Sequence, residues 1–549
     1  MFRKNDHHLQ ENIFDSYAAM NTKTRQRLEQ TWAPIYYRHV FLKIDETPFA
    51  VLYSRDNGRP NFPVNILLSL EFIKHLKDYT DEEIIEQFYF NYQVNYALGL
   101  RTLGELYLAP RTLYEFRERV YRYTIENRGK DDLIFGQFEK LTAHFLEIAK
   151  INAKEQRVDS TQIMPNIKRA GRLSLAYDVL AQAVAACPAE ILPEHLKRVV
   201  EADYKKELLY RCRGSQTQSR LQQIIALCTE LLAITASHPS VHTLGAVSLA
   251  ERFLQEQATF DSATGTWVVK QNKEIAANSL QSAYDPDATY RKKGSKEHTG
   301  YVVNIAETCA DENPVQLITD YTLRENSAGD AQMLKDRIVA IKERTGVTDI
   351  YADGAYYSEE VEQQAKESGI TIHYTNLTGS KPAPGEMPLT MFTIKDHKII
   401  VSCPQNQHPL SSDYHKKNHI LTAHFDLDTC QRCPQKDNCP VKFKKKSAVL
   451  RVSRKAVFAA EARERMTVKS ERKESKSLRA AIEGTNSALK RSQGADKLRV
   501  RTKVKSSLVV GMKMIGRNIR QIIRFFKGDV RRKAALFFAG ANQGVTVPI

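Results

Sequence analysis

The order of strand-like and helix-like runs in the middle of the chain constrains its fold more than any other feature. Apolar, β-branched runs bounded by turn residues predict strands, and apolar residues recurring every three to four positions predict helices. The predicted strands are 157–163, 300–307, 315–323, 349–353 and 371–377, and a helical pattern runs from Asp330 to Gly346. With a second helix before the last strand, this succession predicts an α/β fold.

Three strands, a helix, a strand, a helix and a strand is the order of an RNase H-like α/β core. In that order the first and fourth strands lie side by side at the centre of the sheet. Asp159 lies within the first strand and Asp353 follows the fourth, where the apolar run gives way to a Gly-Ala turn. The two carboxylates are therefore predicted to be neighbours.

Two long segments interrupt this core. From Leu173 to about Phe260 the periodicity is helical, whereas 378–450 is rich in Pro, Gly, His and Cys. A chain of 549 residues is also too long for a single core. The predicted organisation is an all-α N-terminal domain (1–130), a core built from 150–377 and 451–527 with a helical insertion at about 172–260, a Cys-rich insertion (378–450) and a tail (528–549).

Charge is distributed unevenly along the chain. Residues 441–540 contain 29 lysines and arginines against 7 aspartates and glutamates, whereas the whole chain has a net charge of +17. A basic block interleaved with aliphatic residues indicates a folded surface for a polyanion, and we expect nucleic acid. The start of the chain has no apolar signal-like run and no run of 18 residues is apolar throughout, so we expect no membrane span and a cytoplasmic, nucleoid-associated protein.

A helical segment within this basic block, 471–491, carries a third acidic residue. Arg479, Glu483 and Lys490 are four and seven residues apart, which places them on one face of a helix. Two aspartates on strands and a glutamate on a helix are what two-metal phosphoryl transfer requires. The alternative is a solvated charged face with an i,i+4 ion pair.

Local motifs distinguish these alternatives. Arg-x3-Glu-x6-Lys at 479–490, Asp-Gly-Ala-Tyr-Tyr at 353–357 and Val-Asp-Ser-Thr at 158–161 resemble the DDE transposases of bacterial insertion sequences, in the subgroup whose signature is YREK. The signature's tyrosine, three residues before the arginine, is Lys476 here. The resemblance extends from about residue 55 to 525.

The resemblance implies a catalytic triad of Asp159, Asp353 and Glu483 that holds two Mg²⁺ ions. It also implies cleavage at the terminal inverted repeats, strand transfer into target DNA, and a homodimer on DNA. The expected DNA-binding residues are Arg479, Lys490, Lys476, Arg491, Arg499 and Arg501. The alternatives are a nuclease of the same fold without strand transfer and a non-catalytic DNA-binding descendant.

The N-terminal 130 residues show short helical patterns. Capping boxes are predicted at Thr80–Glu83 and Thr112–Glu115. Four arginines on the last of these helices fit a helix-turn-helix-like DNA reader and an ordinary helical bundle with solvated arginines equally well; they are Arg111, Arg117, Arg119 and Arg122.

Four of the eight cysteines fall within 403–439. A Cys-x2-Cys pair with two further cysteines predicts a tetrahedral structural Zn²⁺ site, and the polar surroundings argue against buried apolar thiols. The expected ligands are Cys403, Cys430, Cys433 and Cys439, with His415, His419 or His424 as possible replacements.

Two other segments of the chain combine basic residues with a recognisable local pattern. The amphipathic run 508–526 predicts a helix that packs on the core and presents Lys513, Arg517, Arg520 and Arg524 to DNA. Asp285-Pro-Asp287 predicts a surface turn; the alternative is a substrate-binding loop formed with the lysines that follow.

Overall fold

The computed structural model describes residues 1–10, 15–127, 132–210, 214–375, 385–470 and 473–541, without the side chains of 466–470, 473–478 and 529–541. No helix in these ranges is long and apolar enough to cross a membrane.

The N-terminal part is helical, as predicted. The Thr80–Glu83 capping box is confirmed, with both reciprocal hydrogen bonds present. The box predicted at Thr112 is wrong: that helix begins at Pro110, whose fixed φ suits the first helical position. The helices are α1 (Ser16–Ala19), α2 (Thr22–Glu29), α3 (Ala33–His39), α4 (Val64–Lys77), α5 (Asp81–Phe90), α6 (Tyr92–Ala97), α7 (Pro110–Glu126) and α8 (Leu133–Ile148).

The first strand, β1 (Glu155–Ile163), is followed by the helical insertion, which has an apolar core of its own. The predicted stripe along its longest helix is buried at Leu221, Ile224, Ile225, Cys228 and Leu231. The elements are α9 (Arg172–Ala186), α10 (Glu194–Lys197), α11 (Ala202–Lys205), α12 (Thr217–Ala236), α13 (Pro239–His242), α14 (Gly245–Gln257) and the hairpin β2 (Ala258–Asp261) with β3 (Thr266–Val269).

The chain then returns to the central sheet. Its elements are β4 (Thr289–Lys293), β5 (Lys296–Thr308), β6 (Ile318–Glu325), α15 (Asp330–Thr345), β7 (Asp349–Ala352), α16 (Glu359–Glu367) and β8 (Thr371–Tyr374). The predicted stop at Gly346 is confirmed: this glycine has a φ of 65°, the left-handed conformation that ends helices.

The path through the sheet is β6–β5–β1–β7–β8, with β4 forming a hairpin on the first part of β5. β5 is antiparallel to β1 and β6, whereas β1, β7 and β8 are parallel. The first and fourth core strands are therefore neighbours at the centre, as the order of elements predicts.

The Cys-rich insertion forms small antiparallel sheets around a separate apolar cluster. Its elements are β9 (Thr393–Lys395), β10 (Ile399–Ser402), β11 (Ser411–His415), β12 (Ile420–Phe425), α17 (Leu427–Gln431), β13 (Lys442–Phe443) and β14 (Ala448–Ser453).

Three helices complete the chain: α18 (Arg454–Ser470), α19 (Lys473–Ser492) and α20 (Lys503–Ala541). α20 packs on α4, α8 and β6. The N-terminal helices, one face of the sheet and α20 consequently share one apolar core, which includes Phe72, Phe138, Tyr301 and Ile515.

The prediction that α20 presents its cations to DNA is wrong for Lys513 and Arg517. Both are buried, at 4% and 8% exposure. Lys513 donates to the carbonyl of Gln493 and lies 3.6 Å from Asp78, and Arg517 donates to Thr485 Oγ1 at 3.4 Å. These cations therefore attach α19 and the N-terminal helices to α20.

Two further charged side chains are held by contacts within the protein. Arg117, 29% exposed, pairs with Glu71 and Asp81, each at 2.6 Å, and so holds α7 against α4 and α5. Asp285 forms part of a turn, as predicted, but its side chain is buried and accepts hydrogen bonds from Tyr301 and from the Thr502 amide.

A buried ion pair between β1 and β5 provides a test of this packing. Arg157 donates to Glu307 at 2.6 and 2.9 Å, and Thr485 of α19 donates to the other Glu307 oxygen at 2.7 Å. Glu307→Gln leaves the Arg157 charge buried without its counter-charge. We expect a loss of about 3 kcal/mol of stability, seen as a lower melting temperature of the full chain.

The matched control is Glu115→Gln, which breaks an exposed ion pair with Arg111. We expect it to cost less than about 1 kcal/mol. Equal melting temperatures for the two variants would contradict a structural role for the buried pair.

Candidate active site

Asp159 of β1 and Asp353, the residue that follows β7, occupy equivalent positions relative to the two neighbouring parallel strands. Arg157 of β1 is in register with Tyr351 of β7, and each aspartate lies two residues beyond its member of that pair. Neighbouring strands are separated by about 4.8 Å, so this register brings the two carboxylates to the same part of the sheet. Asp353 also caps the turn that follows β7, accepting a hydrogen bond from the Ala355 amide at 3.1 Å.

Glu483 reaches the same region because α19 packs across β1 and β7. Ile482 and Leu489 are buried beneath the helix, and Asn486 donates a hydrogen bond to Asp159 Oδ2 at 2.9 Å. The side chain of Glu483 is 67% exposed. The apolar spacing of the helix thus fixes its buried face and leaves this carboxylate accessible.

The Arg479 guanidinium lies between the carboxylates of Asp353 and Glu483. Its Nη1 lies 3.9 Å from Asp353 Oδ2, and its Nη2 lies 3.6 Å from Glu483 Oε1. It is also close enough to Asp159 to lower the pKa of that carboxyl group. The i,i+4 pair that the sequence offers as an alternative is present, but it belongs to a larger cluster that includes Asp353.

Burial raises the pKa of Asp159 to about 6. The Ser160 amide, Arg479 and Lys293 oppose this rise, whereas the negative charge of Asp330 adds to it. The surrounding positive charge therefore does not fully compensate for burial of the carboxylate. A cation bound at this position would favour its ionised form.

The donor atoms here suit a hard divalent cation, which prefers carboxylate and amide oxygens. Asn486 Oδ1, beside Asp159, is buried and has no hydrogen-bond partner, so an oxygen ligand is available. Among the described residues, however, no group of three or more His, Cys, Asp or Glu side chains is placed so that it could hold a metal ion. The types of donor atom fit Mg²⁺, but the carboxylates of Asp353 and Glu483 as placed lie next to Arg479 instead.

The predicted DNA-binding residues differ in their surroundings. Lys490 is partly exposed and lies 3.6 Å from Asp496, and Arg491 is exposed. Arg499 donates to the Tyr79 carbonyl at 2.8 Å and Arg501 to the Asn166 carbonyl at 2.9 Å, with both residues exposed. The side chain of Lys476 lies outside the described residues.

Sequence reasoning missed two side chains around Asp159. Asn486 holds its carboxylate, and Asp330 contributes negative charge. The position of Asn486, three residues after Glu483 on a helix, was a signal that could have identified it. Nothing local in the sequence marks Asp330, because its proximity depends on how α15 packs. Lys293, one of the lysines of the substrate-binding loop that the sequence offers as an alternative, lies at the tip of the β4–β5 hairpin and contributes positive charge.

The four cysteines of the insertion lie near one another. The charges of Cys439, Cys403 and Cys433 add to the burial effect that raises the pKa of Cys430 to about 11. None of the four is in a disulfide. No metal-binding arrangement is found among them within the described part of the chain. The zinc site therefore stays a prediction.

Two of the possible replacement ligands already have other hydrogen-bond partners. His419 Nδ1 lies 2.6 Å from the Tyr414 hydroxyl, and His424 Nδ1 lies 3.0 Å from Ser447 Oγ.

Comparison with protein families gives two matches. The model of a transposase DDE domain matches residues 402–523, and the model of a transposase domain, DUF772, matches residues 29–119. Together they support a DDE transposase family and indicate a transposase function, that is, an enzyme that acts on DNA. A DDE domain also implies use of a divalent metal, typically Mg²⁺. The first match includes Glu483, whereas Asp159 and Asp353 lie outside both.

No match was found among curated proteins or among solved structures.

The cysteine cluster gives a test that is independent of the active site. If the four thiolates close a tetrahedral shell, metal analysis of the purified full chain should find about one Zn per chain. Cys433→Ser should then lower both the zinc content and the melting temperature. Cys187→Ser, in the helical insertion, serves as the control because it should leave the zinc content unchanged. A zinc-free wild-type protein with an undiminished melting temperature would exclude the site.

Proposed function

We propose that this chain is a DNA transposase of a bacterial insertion sequence, of the YREK subgroup, with an RNase H-like core in which Asp159, Asp353 and Glu483 form the catalytic triad. The observation that carries the proposal is that Arg479 lies within ion-pair distance of both Asp353 and Glu483 and lowers the pKa of Asp159, although the three acidic residues lie after β7, on α19 and on β1. An isolated ion pair on the surface of a helix would not involve Asp353. The strand order and the family matches support the same reading.

Each residue of the cluster has a distinct task in this proposal. Asp159, Asp353 and Glu483 would hold two Mg²⁺ ions, which when bound activate the attacking oxygen and stabilise the leaving oxygen of a phosphodiester. Asn486 orients Asp159 through its 2.9 Å hydrogen bond. Arg479 neutralises the carboxylates in the absence of substrate and is positioned to contact a DNA phosphate when they hold cations instead.

The remaining assignments rest on charge and on the family resemblance. Lys490, Lys476, Arg491, Arg499 and Arg501 would contact DNA near the site, and the N-terminal helices would recognise the terminal repeats. Water would first cleave the transposon end, and the released 3′-hydroxyl would then attack target DNA. A homodimer on paired ends and a structural zinc in the Cys-rich insertion complete the proposal.

Glu483→Gln tests the triad. The change removes a negative charge that cation binding requires but DNA binding does not. Binding to a duplex carrying the element's terminal repeat should therefore persist or tighten slightly. Cleavage of the same duplex in Mg²⁺ should fall about a thousandfold or more. The matched control is Glu464→Gln, an exposed glutamate on α18, which should cleave at the wild-type rate.

Normal cleavage by Glu483→Gln, together with inactive Asp159→Asn and Asp353→Asn, would show that the third carboxylate is misassigned. Glu471 and Glu474, whose side chains lie outside the described residues, would be the next candidates. An assay for joined products distinguishes a transposase from a nuclease of the same fold.

Lys490→Ala tests DNA contact on the same helix. Loss of one phosphate contact should weaken binding and reduce the slope of log affinity against log salt by about one unit. The cleavage defect should shrink when DNA is saturating, which distinguishes a binding role from a role in chemistry. Lys417→Ala, at the exposed β11–β12 turn, is the control and should leave the slope unchanged. An unchanged slope for Lys490→Ala would remove this residue from the interface.

A further inference from the structure

The β4–β5 hairpin extends past the end of β1, the strand that carries Asp159. The pairing of β5 with β1 ends at Tyr301 and Ile163, and the pairing of β5 with β4 begins one residue earlier, at Gly300. Gly300 has a φ of 135°, and a Cβ on it would lie 2.5 Å from the Ile163 carbonyl oxygen. Glycine is therefore required for the hairpin to pack this closely against the end of β1.

One face of this hairpin is basic. Arg291 is directly opposite His298, and Lys293 is directly opposite Lys296 at the tip. Directly opposite residues share a face of a strand pair, and so do alternate residues of one strand, so all four lie on the same face. Like charges directly opposite each other destabilise a strand pair, so the stability of the hairpin does not explain the two lysines at its tip.

The other face of the hairpin is balanced in charge. Lys292 is directly opposite Glu297, the one acidic residue of the hairpin. The Glu297 carboxylate also accepts a hydrogen bond from the Tyr290 hydroxyl. The two faces thus provide matched positions, a few residues apart, at which the same charge can be removed.

The basic face lies beside the elements of the candidate active site. Arg291 donates to the Ala328 carbonyl at 3.3 Å, and its Nη2 lies 3.6 Å from Asp330 Oδ2 at the start of α15. That helix packs against the turn Gly354–Tyr356, which directly follows Asp353. Because Arg291 belongs to the basic face, these contacts hold that face next to α15.

A cation of α19 lies near the same face. Lys490 is one helical turn beyond Asn486, whose side chain donates to Asp159 at 2.9 Å. Burial lowers the pKa of His298, and so do four nearby positive charges, those of Lys490, Arg169, Lys296 and Lys293. Cations from three separate segments therefore converge around this imidazole, and a bound polyanion would relieve their repulsion.

We propose that Lys293, Lys296 and His298 form, together with Lys490, a surface that binds the phosphate backbone of the DNA strand at the candidate active site. This inference rests on the proposed function, because it requires DNA at that site. It assigns three residues that belong neither to the Asp-Asp-Glu pattern nor to the basic C-terminal block. Phosphate contacts do not depend on base sequence, so we expect the surface to act on any duplex.

The double variant Lys293→Gln/Lys296→Gln of the full chain tests this surface. Its affinity for a duplex carrying the terminal repeat, and for a scrambled duplex of equal length, is measured by fluorescence anisotropy over a range of salt concentrations. Both affinities should fall at least about tenfold at low salt, and the slope of log affinity against log salt should decrease by about two units. The melting temperature should not fall, because repulsion at the tip is relieved.

The charge-matched control is Lys292→Gln/Lys417→Gln, which removes two exposed lysines outside the basic face. We expect it to bind both duplexes as the wild type does. An equal loss of affinity in the control and in the double variant would assign the effect to net charge alone and overturn the proposal.

Neutral methylphosphonate linkages in the repeat duplex show where the surface binds. Placed one at a time beside the cleavage position, they should weaken binding by the wild type. The same linkages should have little further effect on the double variant, because the lysines that contact those phosphates are already gone. Equal losses in the two proteins would locate the contacts elsewhere and contradict the proposal.

The outcomes also distinguish this inference from the proposed function. An unchanged slope for the double variant, with a reduced slope for Lys490→Ala, would overturn the inference and leave the proposed function standing. A loss of affinity confined to the repeat duplex would overturn it as well, since phosphate contacts carry no sequence preference. If the double variant binds both duplexes weakly while Glu483→Gln cleaves normally, the surface stands and the triad is misassigned. A wild-type protein that binds neither duplex would overturn both.

Discussion

The docking of α19 onto the central sheet is the interaction on which the candidate site depends. Ile482 and Leu489 bury one face of the helix, while Thr485 and Asn486 bond to Glu307 and Asp159. Because these contacts fix the rotation of the helix, they place Arg479 near Asp353 and Glu483. The Arg157–Glu307 pair, buried between β1 and β5, supplies the polar anchor for Thr485.

Charge balance at the site follows from this arrangement. In the structure, Arg479 lies 3.9 Å from Asp353 and 3.6 Å from Glu483, and its charge also lowers the pKa of Asp159, so it offsets repulsion that burial would otherwise strengthen. The offset at Asp159 is incomplete, because burial still raises the pKa of that carboxyl group to about 6. Beside it, the buried Asn486 Oδ1 has no hydrogen-bond partner.

Several elements of the fold follow from local sequence because short-range physics specifies them. The Thr80–Glu83 box closes within one helical turn, and Gly346 ends α15 because it lacks a Cβ. Two predictions from the sequence were wrong, one because another local signal set the start of a helix and one because long-range packing buried a side chain. Pro110 begins α7 before the expected Thr112, and Lys513 is buried because Asp78 and the Gln493 carbonyl receive its charge.

The sequence by itself determined the order of strands and helices, the three acidic residues with their spacing motifs, and the concentration of positive charge in the last hundred residues. These are properties of neighbours along the chain. Only the tertiary structure decided that Arg479 lies among the carboxylates and that Asn486 holds Asp159. It alone decided that the charges of Asp330 and Lys293 both influence the pKa of Asp159, and that Asp285 is buried. The reason is physical: these contacts join residues that are tens to hundreds of positions apart, and their geometry depends on the packing of α15, α19 and α20 against the sheet.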